Sequence, residues 1–343
     1  MTALPPTYGH LDLIKFAGHL FNVNQVVVLL NTDPREPLVY QRFSALVRAV
    51  NNLGHKYMVK WQNEEVQQEP VSEDDQAFWD DWVKNLKLYG FREGDYIVAS
   101  EEYGVRLAKE AGGEFMPFDP DRWVRYTKGT KARNDPFHTW KDILPEFRQF
   151  IQKRVTLFGA ESTGKTTLTE KLHHDYNFMG VGTTKLFEWA RPYLEMTGPE
   201  VTDQGMFNIW QGQYALQQTT YLDVLNPLVI QDTDLWTTIG FWEDWEPGEV
   251  PPPIYEDARN TESHLYIVTK SNIPFEHDIL RYGGDERQTN DQYWLDFADK
   301  YGLNYVVLES DTLEEREREA VEHIDRLLAV NPLEYTRIGK EYQ

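Results

Sequence analysis

The chain has 343 residues, 41% hydrophobic and 14% aromatic, which is a globular composition with room for two ordinary domains. Its 34 basic and 56 acidic side chains leave a formal charge of −22, which repels nucleic acid and anionic lipid, so phosphate binding has to be local. There is no cysteine, which excludes disulfides, thiolate metal sites and cysteine nucleophiles.

No charged start followed by an apolar stretch reads as a signal peptide, and runs such as 26–30 are too short to span a bilayer. A cytoplasmic location is expected, with neither nucleic acid nor membrane as partner. Strand-like runs alternate with helical stretches throughout, predicting an α/β architecture of two parallel-sheet domains. The pattern predicts a helix at 11–20, a buried strand at 25–30, a helix at 36–52 and a strand at 57–61. Segment 62–76 is acidic and interrupted by Pro70, so it reads as a surface loop. A helix follows at 77–89, a strand at 95–99, a helix at 102–111 stopped by Gly112-Gly113, and a short strand at 114–117. Phe137, Trp140, Ile143 and Phe147 make 134–150 a packed connector, which divides the chain into domains 1–150 and 151–343. In the second domain, strands are expected at 154–158, 228–231, 265–269 and 305–308, and helices at 165–176, 204–225, 292–301 and 313–328. Four prolines make 246–253 an irregular loop.

Gly159-Ala160-Glu161-Ser162-Thr163-Gly164-Lys165-Thr166 meets the phosphate-loop pattern G-x-x-x-x-G-K-[ST] without substitution. A strand precedes it and a helix follows, as the motif requires. The glycines let the backbone wrap phosphates, and successive N–H groups with the helix N-terminus favour negative charge. Lys165 can reach the β- and γ-phosphates of ATP and Thr166 can sit on Mg²⁺, with Glu161, Ser162, Thr163 and Thr167 as further expected contacts. The strand end Gln231-Asp232-Thr233-Asp234 supplies two carboxylates. Either can hold the Mg²⁺ water shell, Asp232 being assigned with Thr166, and the other can accept a proton from an attacking hydroxyl. Alternatively, Asp234 caps the helix starting at Leu235. Arg281 and Arg287, around Gly283-Gly284, suggest a lid that brings a guanidinium to the transferring phosphoryl group, or else surface ion pairs.

Thr7-Tyr8-Gly9-His10 stands at the first helix, where a histidine can donate to a phosphate. A lone histidine is usually structural, but Thr130-Lys131-Ala132-Arg133 lies downstream. Together, [T/H]-x-G-H and T-x-x-R resemble the motifs of nucleotidyltransferases that adenylylate small phosphates. Asn134-Asp135-Pro136-Phe137, with Trp140 after it, leads straight into the phosphate loop. This order resembles the bifunctional nicotinamide-nucleotide adenylyltransferase/ribosylnicotinamide kinase family, the NadR-like proteins. The likeness continues through Glu188-Trp189-Ala190-Arg191, 230–234 and the lid-like 278–287, and so covers 4–328.

The resemblance implies a Rossmann-like nucleotidyltransferase followed by a P-loop kinase. The kinase would phosphorylate nicotinamide riboside with ATP to nicotinamide mononucleotide (NMN), and the transferase would join NMN to the AMP part of ATP, giving NAD and pyrophosphate. It places Thr7, Gly9, His10, Thr130 and Arg133 at the transferase phosphates. Glu188 and Arg191, three apart on a helix, fall near the riboside, with an intrahelical ion pair as the plain alternative. Trp79 and Trp82 match the family's W-x-x-W, one of them to stack on nicotinamide and core packing the alternative. Three departures stand out. Met1-Thr2-Ala3-Leu4-Pro5 abbreviates the first strand or marks a start further upstream. Lys128 replaces a usual serine, either as a substitute phosphate ligand or as a sign of lost transferase activity. No helix-turn-helix segment precedes the transferase, so a DNA-binding repressor role is not expected. The rival readings are a kinase with a degenerate transferase domain, a transferase acting on pantetheine phosphate, and a pyridine-nucleotide sensor. A homo-oligomer is left open.

Overall fold

The computed structural model describes residues 1–65, 72, 75–244, 249–273 and 290–335. Two compact units result, Met1–Phe150 with the chain from Asn331 onward, and Ile151–Val330. The second unit therefore ends before the expected 343. Asn331 Nδ2 donates to the Arg133 carbonyl at 2.8 Å and Tyr335 Oη to Asp33 at 3.2 Å, tying 331–335 into the first unit.

The first unit runs α1 (Tyr8–His19), β1 (Val26–Thr32), α2 (Val39–Asn51), β2 (Tyr57–Asn63), α3 (Gln76–Leu88), β3 (Tyr96–Ala99), α4 (Tyr103–Ala111), β4 (Glu114–Pro117), α5 (Gly129–Asn134) and α6 (Pro145–Arg148). β1 pairs with β2, and β3 with β4, both in parallel, as helical crossovers require. The apolar stripe Ala45, Leu46, Ala49 and Val50 of α2 is buried, and Leu46 and Val50 join Ile14, Val28 and Leu30 in one core. Gly18 lets Tyr57 approach α1, because a Cβ there would lie 2.1 Å from the phenol oxygen. No strand forms at 1–5. Instead the Met1 ammonium donates to Leu29 O, and Asn31 N–H donates to Met1 O, both at 2.9 Å. Buried Arg42 pairs with Glu36 at 2.7 Å and donates to the Thr2 and Ala3 carbonyls. In the connector, Phe137, Trp140, Ile143 and Phe147 are all buried.

The second unit is a five-stranded parallel sheet, ordered β6-β7-β5-β8-β9. Its elements are β5 (Lys153–Phe158), α7 (Lys165–Phe178), β6 (Thr183–Leu186), α8 (Ala190–Thr197), α9 (Asp203–Asp223), β7 (Leu228–Asp232), α10 (Leu235–Asp244), α11 (Pro252–Asn260), β8 (Leu265–Thr269), α12 (Asp291–Tyr301), β9 (Tyr305–Leu308) and α13 (Leu313–Ala329). One face carries Val155, Leu157, Leu168, Leu172, Ile267 and Ile324; the other carries an aromatic core in which Phe158 meets Trp294 edge-on at 4.9 Å. The phosphate loop leaves central β5, beside the end of β7, where open parallel sheets bind ligands. Two elements differ from the sequence pattern. β6 has only one apolar residue, Leu186, and forms at the sheet edge by pairing with β7. Pro252 and Pro253 open α11 instead of continuing a loop, since the first helical turn needs no N–H from them. Among the described residues, no helix is long and apolar enough to cross a membrane.

Candidate active sites

Gly159 has φ +129°, and a Cβ there would come within 2.8 Å of the Thr269 carbonyl, so only glycine lets the loop pass β8. Gly164, at φ +83°, is the N-cap of α7, and Ser162 also adopts positive φ. Thr163 turns inward. Its hydroxyl donates to Ala160 O at 2.9 Å and lies 2.6 Å from Thr269 Oγ1, so the side chain braces the loop and does not face a ligand. Lys165 Nζ donates to Gly159 O at 3.0 Å and Ala160 O at 2.5 Å, folded back over the loop. Thr166 Oγ1 donates to Asp232 Oδ2 at 2.6 Å. Thr167 is exposed, while Glu161 and Ser162 are half-buried. Burial first, then the charge of Glu161 in the loop, pushes the carboxyl of Asp244 at the end of α10 up.

After β7, Thr233 takes φ +67°, a sparsely populated region for a β-branched residue, and its N–H donates to Leu157 O at 3.3 Å. This turn separates the two carboxylates. Asp232 faces the phosphate loop. Asp234 points inward, accepting from Thr237 N–H at 3.2 Å and Tyr266 Oη at 2.8 Å. Asp234 is 1% exposed, and burial raises its carboxyl to about 6. That is the geometry of the cap of α10, the alternative the sequence left open for Asp234 beside a role as proton acceptor. Glu188 lies before α8, whose N-cap is Trp189, so the expected shared helix face with Arg191 does not exist. Trp189 fixes this entry instead. Its N–H donates to Gln213 Oε1 at 2.9 Å, and its indole sits where a Cβ on Gly212 would be 1.9 Å away. Arg281 and Arg287 lie outside the described residues.

In the first unit, Thr7 is the N-cap of α1. Its backbone N–H donates to His10 Nδ1 at 3.0 Å, with its hydroxyl 2.8 Å from the same nitrogen. Nδ1 is therefore an acceptor, and the neutral ring carries its proton on Nε2. Burial first, then the positive charges of the N-terminus, Arg122 and Arg42, lower His10 to about 4, so it stays neutral through the physiological range. The far side of the ring meets α5, because a side chain on Gly129 would begin 3.7 Å from His10 Cε1. Gly9 leaves room beside Thr7 Oγ1, 3.6 Å from where its Cβ would be. The fold thus brings T-x-G-H and T-x-x-R together, with Thr130 exposed and Arg133 half-buried. Lys128 is the N-cap of α5 and makes no side-chain cap bond, as the usual serine could.

The family model described as AAA domain matches residues 154–316. The trifunctional NAD biosynthesis/regulator protein NadR of Escherichia coli (strain K12) is 27% identical over 262 residues, 73% of this chain and 62% of that relative. NadR of Salmonella typhimurium (strain LT2) is 29% identical over 213 residues, 59% of this chain and 50% of that protein. The matches thus span half to under two thirds of the curated relatives. A crystal structure of a NadR protein in complex with NR shares the fold, with TM-score 0.62 and 20% identity, covering 99% of this chain and 96% of that one. Another, in complex with NAD and AMP-PNP, gives TM-score 0.62 at 21% identity with the same coverage. The chain is similar in sequence and in fold to NadR proteins.

In this chain the W-x-x-W pair lies in the packing of α3 on α4. Trp79 is 4% exposed, with the Arg106 guanidinium 4.8 Å from its ring centroid and Phe78 against it edge-on. Trp79 thereby takes the core-packing alternative, while Trp82 is half-buried in the same cluster. Two arginines near the transferase motifs escaped sequence reading. Arg125 Nε donates to Asp12 at 2.7 Å, and its guanidinium carbon lies 5.3 Å from the Tyr8 ring centroid. Arg122 adds positive charge near His10. The available signal was Arg122-Trp123-Val124-Arg125, just before the T-x-x-R segment.

Proposed function

We propose that this chain is a two-activity enzyme of NAD salvage. Its second unit phosphorylates nicotinamide riboside with ATP, and its first adenylylates the resulting NMN with ATP, releasing pyrophosphate. The observation that carries the reading is the juxtaposition of Thr166 and Asp232 at a complete phosphate loop. The meeting of His10 with the Gly129 helix supports the transferase half. NadR proteins whose structures hold NR, and NAD with AMP-PNP, agree with these ligands.

In the kinase step, Lys165 leaves the Gly159 and Ala160 carbonyls for the β- and γ-phosphates, and the loop N–H groups hold them. A hydroxyl and a carboxylate side by side are hard oxygen donors that suit Mg²⁺, so Thr166 and Asp232 would hold it; when bound it neutralises β- and γ-oxygen charge. The riboside 5′-hydroxyl, positioned with Glu188 and Arg191 nearby, attacks the γ-phosphorus; the bond to the β–γ bridging oxygen breaks as ADP leaves, and the hydroxyl proton passes to solvent. In the transferase step, an NMN phosphate oxygen attacks the α-phosphorus, and the bond to the bridging oxygen breaks as pyrophosphate leaves. His10 Nε2–H, Thr130 and Arg133 stabilise the charge on phosphate oxygens, and neutral His10 does so without titrating near pH 7. Lys128, exposed beside them, supplies charge in place of the usual hydroxyl.

The test is product analysis after incubation with nicotinamide riboside, ATP and Mg²⁺. Wild type is expected to accumulate NAD. Lys165→Ala should lose NAD formation from riboside but keep it from NMN, and His10→Ala should stop at NMN. If wild type makes NMN yet never adenylylates it, the first unit is a degenerate transferase, the reading that uncapped Lys128 would favour.

A further inference from the structure

Arg316 lies in α13, far in sequence from the phosphate loop, and is 1% exposed. Its guanidinium fans out over three segments. Nη1 donates to Thr163 O in the phosphate loop at 2.8 Å, Nε to Ser310 O after β9 at 2.8 Å, and Nη2 to Lys270 O after β8 at 2.9 Å and also to Asn272 Oδ1. A planar, fixed fork of donors suits this task, and an ammonium on a flexible stem could not span the same carbonyls.

The bond to Thr163 O has a consequence for phosphate binding. The Thr163–Gly164 peptide is planar, so its carbonyl and the following N–H point in opposite directions. With the carbonyl held against the buried guanidinium, the Gly164 N–H is directed away from it, at the start of α7 where loop N–H groups meet an anion. The same guanidinium places a positive charge behind the loop, in surroundings that screen it weakly. We propose that Arg316 is a positioning residue of the phosphate loop, holding the Thr163–Gly164 peptide in its anion-binding orientation and tying the loop to the ends of β8 and β9. This deepens the kinase reading given above and rests on it for the identity of the phosphoryl acceptor.

The test has a binding arm and a kinetic arm. In the first, the full chain is titrated with a fluorescent ATP analogue, and the phosphate-loop component is defined as the binding lost in Lys165→Ala. In the second, KM values for ATP and nicotinamide riboside are measured separately. Arg316→Gln is expected to weaken the binding component about tenfold or more and raise the KM for ATP, leaving that for riboside within about twofold. Arg316→Lys should fall between the two, keeping the charge but not the fork. A folded Arg316→Gln with wild-type ATP affinity overturns the proposal, even if its Tm is lower, because that is a structural role alone. If Arg316→Gln does not fold, Arg316→Lys decides: reduced ATP affinity supports the proposal and wild-type affinity overturns it. Loss of the riboside assignment would appear as no turnover in wild type, while the binding arm would still judge Arg316.

Discussion

Asp232 and Asp234 stand at one strand end, and the turn at Thr233 sends them into different surroundings. Asp232 takes a hydrogen bond from Thr166 at 2.6 Å, whereas Asp234 takes one from Tyr266 at 2.8 Å within the core. Asp232→Asn is expected to lower kcat of the proposed kinase reaction by about 10² or more, since it removes negative charge from the position proposed to hold Mg²⁺. Asp234→Asn should keep most of that activity, because asparagine caps a helix nearly as well as aspartate. Its effect should appear in stability against pH. Burial raises the folded-state carboxyl to about 6 from an ordinary 3.8. Its contribution to stability is therefore full below about pH 4 and declines as pH rises through 6. Between pH 4 and 7 this contribution opposes any rise in stability with pH, so Tm should change more favourably with rising pH in Asp234→Asn than in wild type; an unchanged profile, or loss of kinase turnover, would contradict the cap assignment. The presence of two carboxylates was legible in the sequence, but their division was not. It depends on a positive φ at a threonine, where local propensity gives no warning.

At the scale of elements, α8 and α9 show how one close approach positions a loop. Gly212 lets the Trp189 indole lie on α9, and that contact sets where Glu188 and Arg191 enter. Gly212→Ala puts a methyl into the indole and is expected to cost about 1–3 kcal/mol through overpacking. With Glu188 and Arg191 near the riboside, the KM for riboside should rise while that for ATP stays near wild type. Thermal unfolding and the two KM values check this, and a rise confined to the KM for ATP would count against it. Pattern made most elements legible, including β7, a short continuous apolar run of a strand buried on both faces, and α13, whose apolar positions repeat at 3.6 residues. The short helices α5 and α6, and β6 and α11, lack that signal. β6 is Thr-Thr-Lys-Leu and owes its pairing to β7, and α11 begins with prolines that usually mark a break. Similarly, Trp79 and Trp82 have a spacing that serves a binding face and a core equally, and α4 decides for the core at Trp79.

For the whole molecule, His10 in the first unit and His264 in the second are held neutral, and burial lowers His173 of the second unit as well. Burial is the first cause in both cases, lowering His10 and His264 to about 4. Each takes a hydrogen bond from a backbone N–H on Nδ1, from Thr7 at 3.0 Å and Arg154 at 3.1 Å respectively. The unfolded chain protonates these rings near 6.5 and so binds more protons between about 6.5 and 4. Stability should therefore fall as pH drops through that window. Tm followed from pH 7 to 4 is expected to decline in wild type, with His10→Gln and His264→Gln each flattening part of the slope. A slope unaltered by either substitution would mean that other groups cause the acid loss.

Sequence alone determined which motifs this protein carries and in what order. The phosphate loop is one contiguous stretch whose glycines and lysine have meaning at fixed offsets, and the T-x-G-H and T-x-x-R segments are equally local. Apolar periodicity likewise settled parallel α/β architecture, because burying one face is a local pattern repeated. Only tertiary structure decided which side chains face the sites. Asp234 went to the core, Thr163 turned to brace the loop, and Arg316 reached Thr163 across 153 residues. Such roles depend on burial and on hydrogen bonds between segments remote in the chain, and no spacing rule records them.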